Sequence, residues 1–245
     1  MELEVTSLGN RVGGIARPEN GPAVFIPGAL PGERILARVT GVKKSHLEAE
    51  LVEILRACPE RTEPFCPLFG RCGGCSLQHL DYRSQLHWKR LWVRKAFREF
   101  HDLEPAEVLP SRKRQGFRNR VTFHAAGGRP CLHRFRGDPL PVPACPAMAD
   151  PGNRVLEEVW KTGIPAGVDT LAIRCSSYTG ASRVEAEGAA VELPESWGPA
   201  CGPAMGPRGG VMVEKLLDWV FPVPPGGFFQ VNTAAAETLD RKSVV

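Results

Sequence analysis

Four cysteines constrain this chain more than any other feature. Cys66, Cys72 and Cys75 fall within the run CPLFGRCGGC, and a Cys-Pro pair at Cys145 can supply a fourth thiolate. Iron-sulfur clusters are held by thiolates in runs of this kind, since C-x2-C lets one tight turn present two sulfurs to one metal centre. The two glycines inside that turn leave room for a close approach of the backbone.

Two other interpretations of the cysteines are open: a zinc ion held by four thiolates, and a disulfide framework. The N-terminus, MELEVTSLGN, has neither the basic start nor the apolar stretch of a secretory signal, and no run approaches the roughly 20 apolar residues of a membrane-spanning helix. We therefore expect the reducing cytoplasm, where cysteines serve more often as thiols or ligands. The other four, Cys58, Cys131, Cys175 and Cys201, lack partners at ligand spacing and are expected to be ordinary thiols.

Positive charge is concentrated in one segment. The chain has 42% hydrophobic and 24% charged residues, typical of a soluble globular protein of one to three domains, with a net charge of +4. Residues 82–136 carry 14 Lys and Arg against 4 Asp and Glu, a local charge of +10 that leaves −6 for the rest. Such a segment is a candidate surface for a polyanion.

The densest part of that segment, SRKRQGFRNRVTFH, mixes cations with aromatic rings. Cations neutralise phosphates and rings stack on bases, so we expect contact with RNA. The proposed RNA-binding residues here are Arg112, Lys113, Arg114, Phe117, Arg118 and Arg120. The alternative is a half-buried strand, because Phe117, Val121 and Phe123 alternate with polar residues.

The first 57 residues alternate short β-rich runs with turn signals. The run Val24–Ile26 leads into a Pro-Gly turn, and a second Pro-Gly turn precedes a predicted strand at Glu33–Val39. This pattern predicts a small OB-like barrel that takes single-stranded nucleic acid, with Lys43 and Lys44 supplying loop charge. A purely structural SH3-like or OB-like module is the competing interpretation.

The remaining chain is expected to be α+β. Residues 81–100 predict an amphipathic basic helix with Val93 and Phe97 on its core face, and Trp88 and Trp92 are expected to pack rather than to stack on bases. Strands are then predicted between about 107 and 221, including a single strand in VMVEKLLDWVF, interrupted by a helix at NRVLEEVWKTG. This predicts a mixed domain built on an antiparallel sheet.

The order of motifs resembles a known family. GIARPENGPAVFIPGALPGERILARV is followed by CPLFGRCGGCSLQHLDYRSQLHWKR, GFRNRVTFH, the Cys145-Pro pair and GGFFQVN. Together they resemble the RNA uracil-C5 methyltransferases that carry an N-terminal TRAM domain and a 4Fe-4S cluster. CGGCSLQH with the upstream cysteine is the strongest element, and GGFFQVN is an independent second match.

The resemblance implies a domain layout and a set of site residues. The layout is a TRAM OB-like barrel (1–57), a cysteine cluster with a basic helix (58–100), a central α+β RNA-binding domain (101–232) and the start of a methyltransferase domain (233–245). The implied cluster ligands are Cys66, Cys72, Cys75 and Cys145, and Gln230 would contact S-adenosylmethionine. The resemblance implies an RNA partner, with rRNA expected and tRNA as the alternative, and we expect a cytoplasmic monomer without membrane contact.

The chemistry of the family sets a limit on this expectation. Uracil C5 is a poor nucleophile, so a Cys thiolate adds to C6, C5 attacks the sulfonium methyl, and a base then removes the C5 proton from a flipped-out base. In this family those groups follow the FFQVN segment, after which only TAAAETLDRKSVV remains. We therefore assign no catalytic residue, and expect RNA binding and positioning, with catalysis lost or supplied by a separate polypeptide.

Alternatives remain for the function and for the FFQVN segment. The chain could be a stand-alone iron-sulfur or zinc RNA-binding module without enzymatic activity, and FFQVN could be an exposed edge strand. A radical S-adenosylmethionine methylthiotransferase is disfavoured, because it would be expected to carry C-x3-C-x2-C and a TRAM domain at the other end.

Overall fold

The computed structural model describes residues 1–10, 12–134, 137–189, 192–201 and 211–243. It divides the chain into two units, the first formed by Met1–Gly70 with Cys75–Pro110 and the second by Arg71–Gly74 with Ser111–Val245. Within the described ranges, no helix is long and apolar enough to cross a membrane.

The first unit contains a closed five-stranded barrel, which confirms the predicted all-β start of the chain. Its strands run in the order β1-β2-β3-β5-β4, and pairing of β1 with β4 closes the barrel. Only β3 and β5 pair in parallel. The strands are β1 (Glu2–Gly9), β2 (Gly13–Ala16), β3 (Ala23–Ile26), β4 (Arg34–Val42) and β5 (His46–Arg56).

Alternation of side chains explains why these segments pair. Leu3 and Val5 on β1, and Ile35 and Ala37 on β4, point into one aliphatic core, while the residues between them face outward. Both predicted Pro-Gly turns are present, and each places its glycine at a φ of 84°, a conformation that residues with a Cβ rarely adopt.

Helix α1 (Tyr82–Ala96) begins where Asp81 caps it. The Asp81 carboxylate accepts hydrogen bonds from the backbone N–H groups of Arg83 (3.0 Å) and Ser84 (3.1 Å). The tryptophans pack as predicted: Trp88 and Trp92 lie against a second cluster formed by Leu8, Leu30, Cys58 and Leu80. The indole N–H of Trp92 also donates to the carbonyl of Leu8 at 2.8 Å.

The predicted core face of this helix is partly wrong. Val93 is 43% exposed and Phe97 is 47% exposed. Each lies five residues after one of the packing tryptophans, about 140° further round the helix, so neither can share the face that the tryptophans bury.

The second unit is built on a six-stranded sheet with the order β11-β10-β9-β6-β7-β8. Its pairs are antiparallel except for β10 with β11. The strands are β6 (Arg120–Ala126), β7 (Arg129–His133), β8 (Pro139–Pro141), β9 (Val168–Cys175), β10 (Ser182–Gly188) and β11 (Ala200–Cys201). Helix α2 (Asp150–Thr162) lies between β8 and β9 and starts three residues before the predicted helix. The mixed α+β class is confirmed.

A hairpin and a helix complete the second unit. VMVEKLLDWVF was predicted as one strand, but it forms two, β12 (Met212–Leu216) and β13 (Trp219–Val223), which pair with each other. The chain reverses at Leu217, whose φ of 54° is unusual for a residue with a side chain. Helix α3 (Thr233–Ser243) follows. The Asn232 side chain caps it by accepting from the N–H of Ala235 at 3.0 Å.

Candidate nucleic-acid interface

A basic loop, residues 111–118, precedes β6 in the second unit. The side chains of Arg112, Lys113 and Arg114 are exposed, and Phe117 is half-buried. The end of the loop is fixed by backbone bonds, because the N–H groups of Gly116 and Arg118 donate to the carbonyls of residues 146 and 147 at 2.9 and 2.8 Å. The loop thus presents its charges to solvent from a fixed backbone.

Arg120 and Arg118 lie in different environments although both belong to the predicted RNA-binding set. Arg118 is exposed, whereas the Arg120 side chain is only 34% exposed and donates to the Glu185 carboxylate at 3.3 Å. Arg120 therefore has a structural partner, and part of its charge is already compensated.

Arg120 belongs to an arginine ladder, formed with Arg174 and Arg183 on adjacent strands. Arg174 is in register with both of the others, so the three side chains share one face of the sheet. Arg174 and Arg183 are buried, and burial lowers the pKa of Arg174. Glu185, two residues after Arg183, is the carboxylate near all three. Sequence reasoning missed Arg174 and Arg183, since only strand register brings them together.

The ladder holds the strap, residues 224–232, which lies between β13 and α3 and carries the FFQVN motif. Arg174 donates to the carbonyl of Gly227 at 2.8 Å. Arg183 donates to the carbonyls of Val223 (3.2 Å) and Pro224 (3.0 Å). The alternative of an edge strand is wrong for this motif, because residues 227–232 form no strand.

Asn119 fixes the other end of the strap. Its backbone N–H donates to the carbonyl of Val231 at 2.8 Å, and its side-chain amide donates to the carbonyl of Gln230 at 3.0 Å. The Gln230 side chain is exposed, and Phe228 is 84% exposed. The backbone of the strap is therefore anchored while these side chains face solvent.

A buried polar network lies beneath this end of the strap. The Asn119 amide also approaches Thr233 (3.3 Å), whose hydroxyl is 3.1 Å from that of Ser177. The N–H of Ser177 donates to both carboxylate oxygens of Glu214, at 3.2 and 3.1 Å. Burial raises the pKa of Glu214. The network joins the sheet, the hairpin and the start of α3.

A cavity of about 1040 Å³ opens beside the basic loop in the second unit. Lys113 and Phe117 line it, together with Tyr178 and Lys215, which the sequence analysis did not single out. The Lys215 ammonium lies 5.7 Å from the centre of the Tyr178 ring. The starts of α2 and α3 also contribute to its wall, through Asp150 and Thr233 among others. Charge, rings and helix N-termini therefore meet at one site.

The predicted lysines of the barrel are exposed in the loop between β4 and β5. Lys43 lies 3.8 Å from the Glu48 carboxylate, and its N–H donates to the carbonyl of His46 at 2.9 Å. Lys44 follows in the same loop. Both side chains can meet a ligand from solvent.

The four predicted cluster ligands are divided between the units. Cys66 and Cys75 belong to the first, and Cys72 and Cys145 to the second. All four are half-buried, and the seven cysteines whose side chains are described form no disulfide. Across the described ranges, no group of three or more His, Cys, Asp or Glu side chains is arranged to hold a metal ion.

The local surroundings of the cysteines suit thiolate ligands. The N–H of Gly74 donates to the Cys72 sulfur at 3.4 Å. A Cβ on Gly73 would lie 3.4 Å from two carbonyl oxygens of the strand beside it, tighter than most such contacts. Asn153 fixes the backbone of Cys145 from both sides, accepting from its N–H at 2.9 Å and donating to its carbonyl at 3.0 Å. Cysteine sulfurs are the donor type that iron-sulfur clusters take.

Known proteins are similar to this chain in sequence and in fold. The TRAM domain family model matches residues 1–52. A protein of Nitratidesulfovibrio vulgaris named "Uncharacterized RNA methyltransferase" is 39% identical over 128 residues, covering 50% of this chain and 27% of that protein. A Ralstonia nicotianae protein named 23S rRNA (uracil(1939)-C(5))-methyltransferase RlmD is 47% identical over 93 residues, covering 36% of this chain and 21% of that protein.

Part of the chain is thus similar in sequence to proteins named as RNA methyltransferases. The resemblance expected from its motifs is confirmed, although the matches span about a quarter of each curated relative. Its fold is similar to the crystal structure of Pyrococcus abyssi tRNA (uracil-54, C5)-methyltransferase in complex with S-adenosyl-L-homocysteine, with a TM-score of 0.74 and 22% identity. That match covers 99% of this chain and 64% of the solved chain.

Proposed function

We propose that this chain is the RNA-binding and positioning part of an S-adenosylmethionine-dependent RNA uracil-C5 methyltransferase that acts on rRNA. The observation that carries the proposal is the junction at Asn119. This residue follows the exposed basic loop directly and hydrogen-bonds the strap that carries Gln230. A surface suited to RNA is thereby connected, within one unit, to the segment proposed for the methyl donor.

The proposed RNA surface comprises two exposed sets. The principal set is Arg112, Lys113, Arg114, Phe117, Arg118 and Arg120, with Arg120 contributing least because Glu185 is close to it. The second set is Lys43 and Lys44 on the barrel, which we propose to be OB-like. The choice of rRNA rests on the curated relative named as a 23S rRNA methyltransferase, and tRNA is the alternative.

Gln230 is proposed to contact S-adenosylmethionine. That cofactor, when bound, supplies the methyl group as an electrophilic sulfonium. The chain's part would be to hold Gln230 in place, through Arg174 at the carbonyl of Gly227 and through Asn119 at the carbonyls of Gln230 and Val231. No catalytic residue is assigned in this chain.

Cys66, Cys72, Cys75 and Cys145 are proposed to hold a structural 4Fe-4S cluster. Anaerobic purification should yield about four irons and four sulfides per chain, and Cys75→Ser should lose the iron. Cys131→Ala is the control, since that buried thiol lies outside the set and should leave the iron in place. About one zinc and no iron would contradict the cluster and favour a four-thiolate zinc site.

RNA binding of the whole chain tests the proposed function. The triple variant R112A/K113A/R114A should weaken binding to a single-stranded rRNA fragment, and should lower the slope of log K against log salt by about 0.7 for each phosphate that is no longer neutralised. The single variant Lys161→Ala is the control, because that exposed lysine lies on α2 beside Glu157 and Glu158. An unchanged slope in the triple variant would contradict the proposal.

A further inference from the structure

We propose that the cavity of the second unit binds one nucleotide of single-stranded RNA, its base against the aromatic wall and its phosphate against the lysines. This inference rests on the proposed function, because the nucleotide belongs to the same RNA. Gln230 does not line the cavity, so the bound nucleotide is a neighbour of the methylated uridine rather than that uridine itself.

The size of the cavity suits such a ligand. Its volume of about 1040 Å³ lies just above the range of about 300–1,000 Å³ typical of small-molecule sites. A nucleotide with its flanking phosphate fits in that volume.

The aromatic wall offers faces for stacking. Tyr178 is 54% exposed, an unusual position for a large ring that contributes little to the core. Its backbone is fixed, because the hydroxyl of Ser176 accepts from the N–H groups of Tyr178 (3.1 Å) and Thr179 (2.9 Å). Phe117 lines the same cavity from the basic loop. Stacking of a base on such a ring contributes about 1–3 kcal/mol.

The cations of the cavity are available to a phosphate. Among the described residues, no carboxylate lies within ion-pair distance of Lys113 or Lys215. Lys215 lies instead near the Tyr178 ring, so one ammonium and one ring face can act on the same nucleotide.

The two helix starts that line the cavity differ in charge. Asp150 occupies the first position of α2, so that N-terminus already has a negative charge beside it. The start of α3 has a neutral cap, Asn232, and its partial positive charge favours a phosphate. The Glu237 carboxylate accepts a hydrogen bond from the N–H of Leu217 at 3.4 Å. Because an ionised carboxylate can only accept hydrogen bonds, it can pair only with N–H or O–H groups of a ligand. These carboxylates therefore suit the N–H edge of a base.

Calorimetric titration of the whole chain with uridine 5′-monophosphate and with inorganic phosphate tests this site. The nucleotide should bind, Tyr178→Ala should weaken its binding by about 5- to 150-fold, and Tyr178→Phe should retain binding because the ring remains. Lys215→Ala should weaken the binding of both the nucleotide and inorganic phosphate. Trp219→Ala is the matched control, since that side chain is 72% exposed but does not line the cavity, and it should change nothing.

The outcomes separate this inference from the proposed function. Unchanged nucleotide affinity in both Tyr178→Ala and Lys215→Ala would overturn the cavity site, even where the basic-loop variant still loses RNA. Loss of nucleotide binding only in Trp219→Ala would overturn it too. A wild-type chain that binds the nucleotide but no rRNA fragment would refute the proposed function instead.

Discussion

The barrel and the second unit bury different kinds of residue. The barrel core is aliphatic, built from side chains such as Val24, Ile26 and Ile35. The second unit also buries Arg174 and Arg183 beneath an irregular segment. Closing a barrel needs only alternating apolar side chains, whereas fixing a strap without strand pairing needs donors for its free carbonyls. Buried charge thus marks where the fold holds an irregular segment in place.

Carboxylates paired with arginines sharpen the same comparison. In the first unit, Glu33 has one arginine, Arg61, bound through Nε at 2.5 Å and Nη2 at 2.8 Å, and it also accepts from the N–H of Leu30 at 2.8 Å. In the second unit, the single carboxylate of Glu185 serves three arginines, so the strap carbonyls are needed as further acceptors.

Removing a ladder arginine should give the largest effect on stability. Arg183→Ala removes the nearest partner of Glu185 and the donors to the carbonyls of Val223 and Pro224, so we expect a loss of about 3–5 kcal/mol in the free energy of unfolding. Urea denaturation measures it. Arg118→Ala, an exposed arginine one residue before Asn119, should cost less than about 0.5 kcal/mol. Equal losses in the two variants would refute the structural role of the ladder.

The hydrogen bonds of Asn119 to the strap should contribute less to stability than the arginine ladder. Asn119→Ala removes the side-chain bond to Gln230 and leaves polar groups of the network unpaired, so we expect a loss of about 1–3 kcal/mol. Hydrogen exchange should increase in the strap and not in the barrel. Equal exchange in the strap of the variant and the wild type would contradict the anchoring role.

The two buried glutamates should respond to pH in opposite directions. Burial alone would raise the pKa of Glu33, but hydrogen bonds from Arg61 and Leu30 lower it below the ordinary 4.5. Stability from Glu33 is therefore present above that value and is lost as pH falls through the lowered pKa. Burial raises the pKa of Glu214, so its contribution is present below the ordinary value and is lost as pH rises through the raised pKa.

Peptide-resolved hydrogen exchange as a function of pH checks this contrast. Acidification should loosen peptides of the barrel around Glu33 while those around Glu214 hold or gain protection. Glu214→Gln should flatten the response of the second unit, because the amide does not titrate. The same pH response in both units of the wild type would contradict the assigned directions.

The smallest effect is expected at the barrel loop. Lys43→Ala removes an exposed ion pair with Glu48, worth at most about 1 kcal/mol, so stability should hardly change. Its effect on RNA affinity should be smaller than that of Arg112→Ala. A larger loss of RNA affinity in Lys43→Ala than in Arg112→Ala would indicate that the principal RNA surface lies on the barrel and not on the second unit.

The sequence predicted what local patterns encode. Alternation and Pro-Gly turns identified the barrel, and the four-residue spacing of Trp88 and Trp92 identified the packing of α1. The hairpin of β12 and β13 was missed because its reversal occurs at Leu217 without glycine or proline.

The sequence could not show which distant residues strand pairing brings together. Arg174 and Arg183 lie 54 and 63 positions beyond Arg120, and only strand pairing places them on one face. The sequence analysis assigned Arg120 to RNA binding from its charge alone. Its pairing with Glu185 could not be recognised there, because that pairing depends on the same strand register. Tyr178 and Lys215 met at the cavity for a similar reason, as they come from a turn and a hairpin far apart in sequence.

Photo-crosslinking of a 4-thiouridine-labelled single-stranded rRNA fragment to the whole chain tests the central claim most directly. Mass spectrometry of the crosslinked peptides should place the main contacts in the basic loop, residues 111–118, and in the peptide that contains Tyr178, with fewer in the loop of Lys43 and Lys44. Crosslinks confined to the barrel, or no crosslinks above those of a non-binding control protein, would contradict the assignment of the second unit as the RNA-positioning surface.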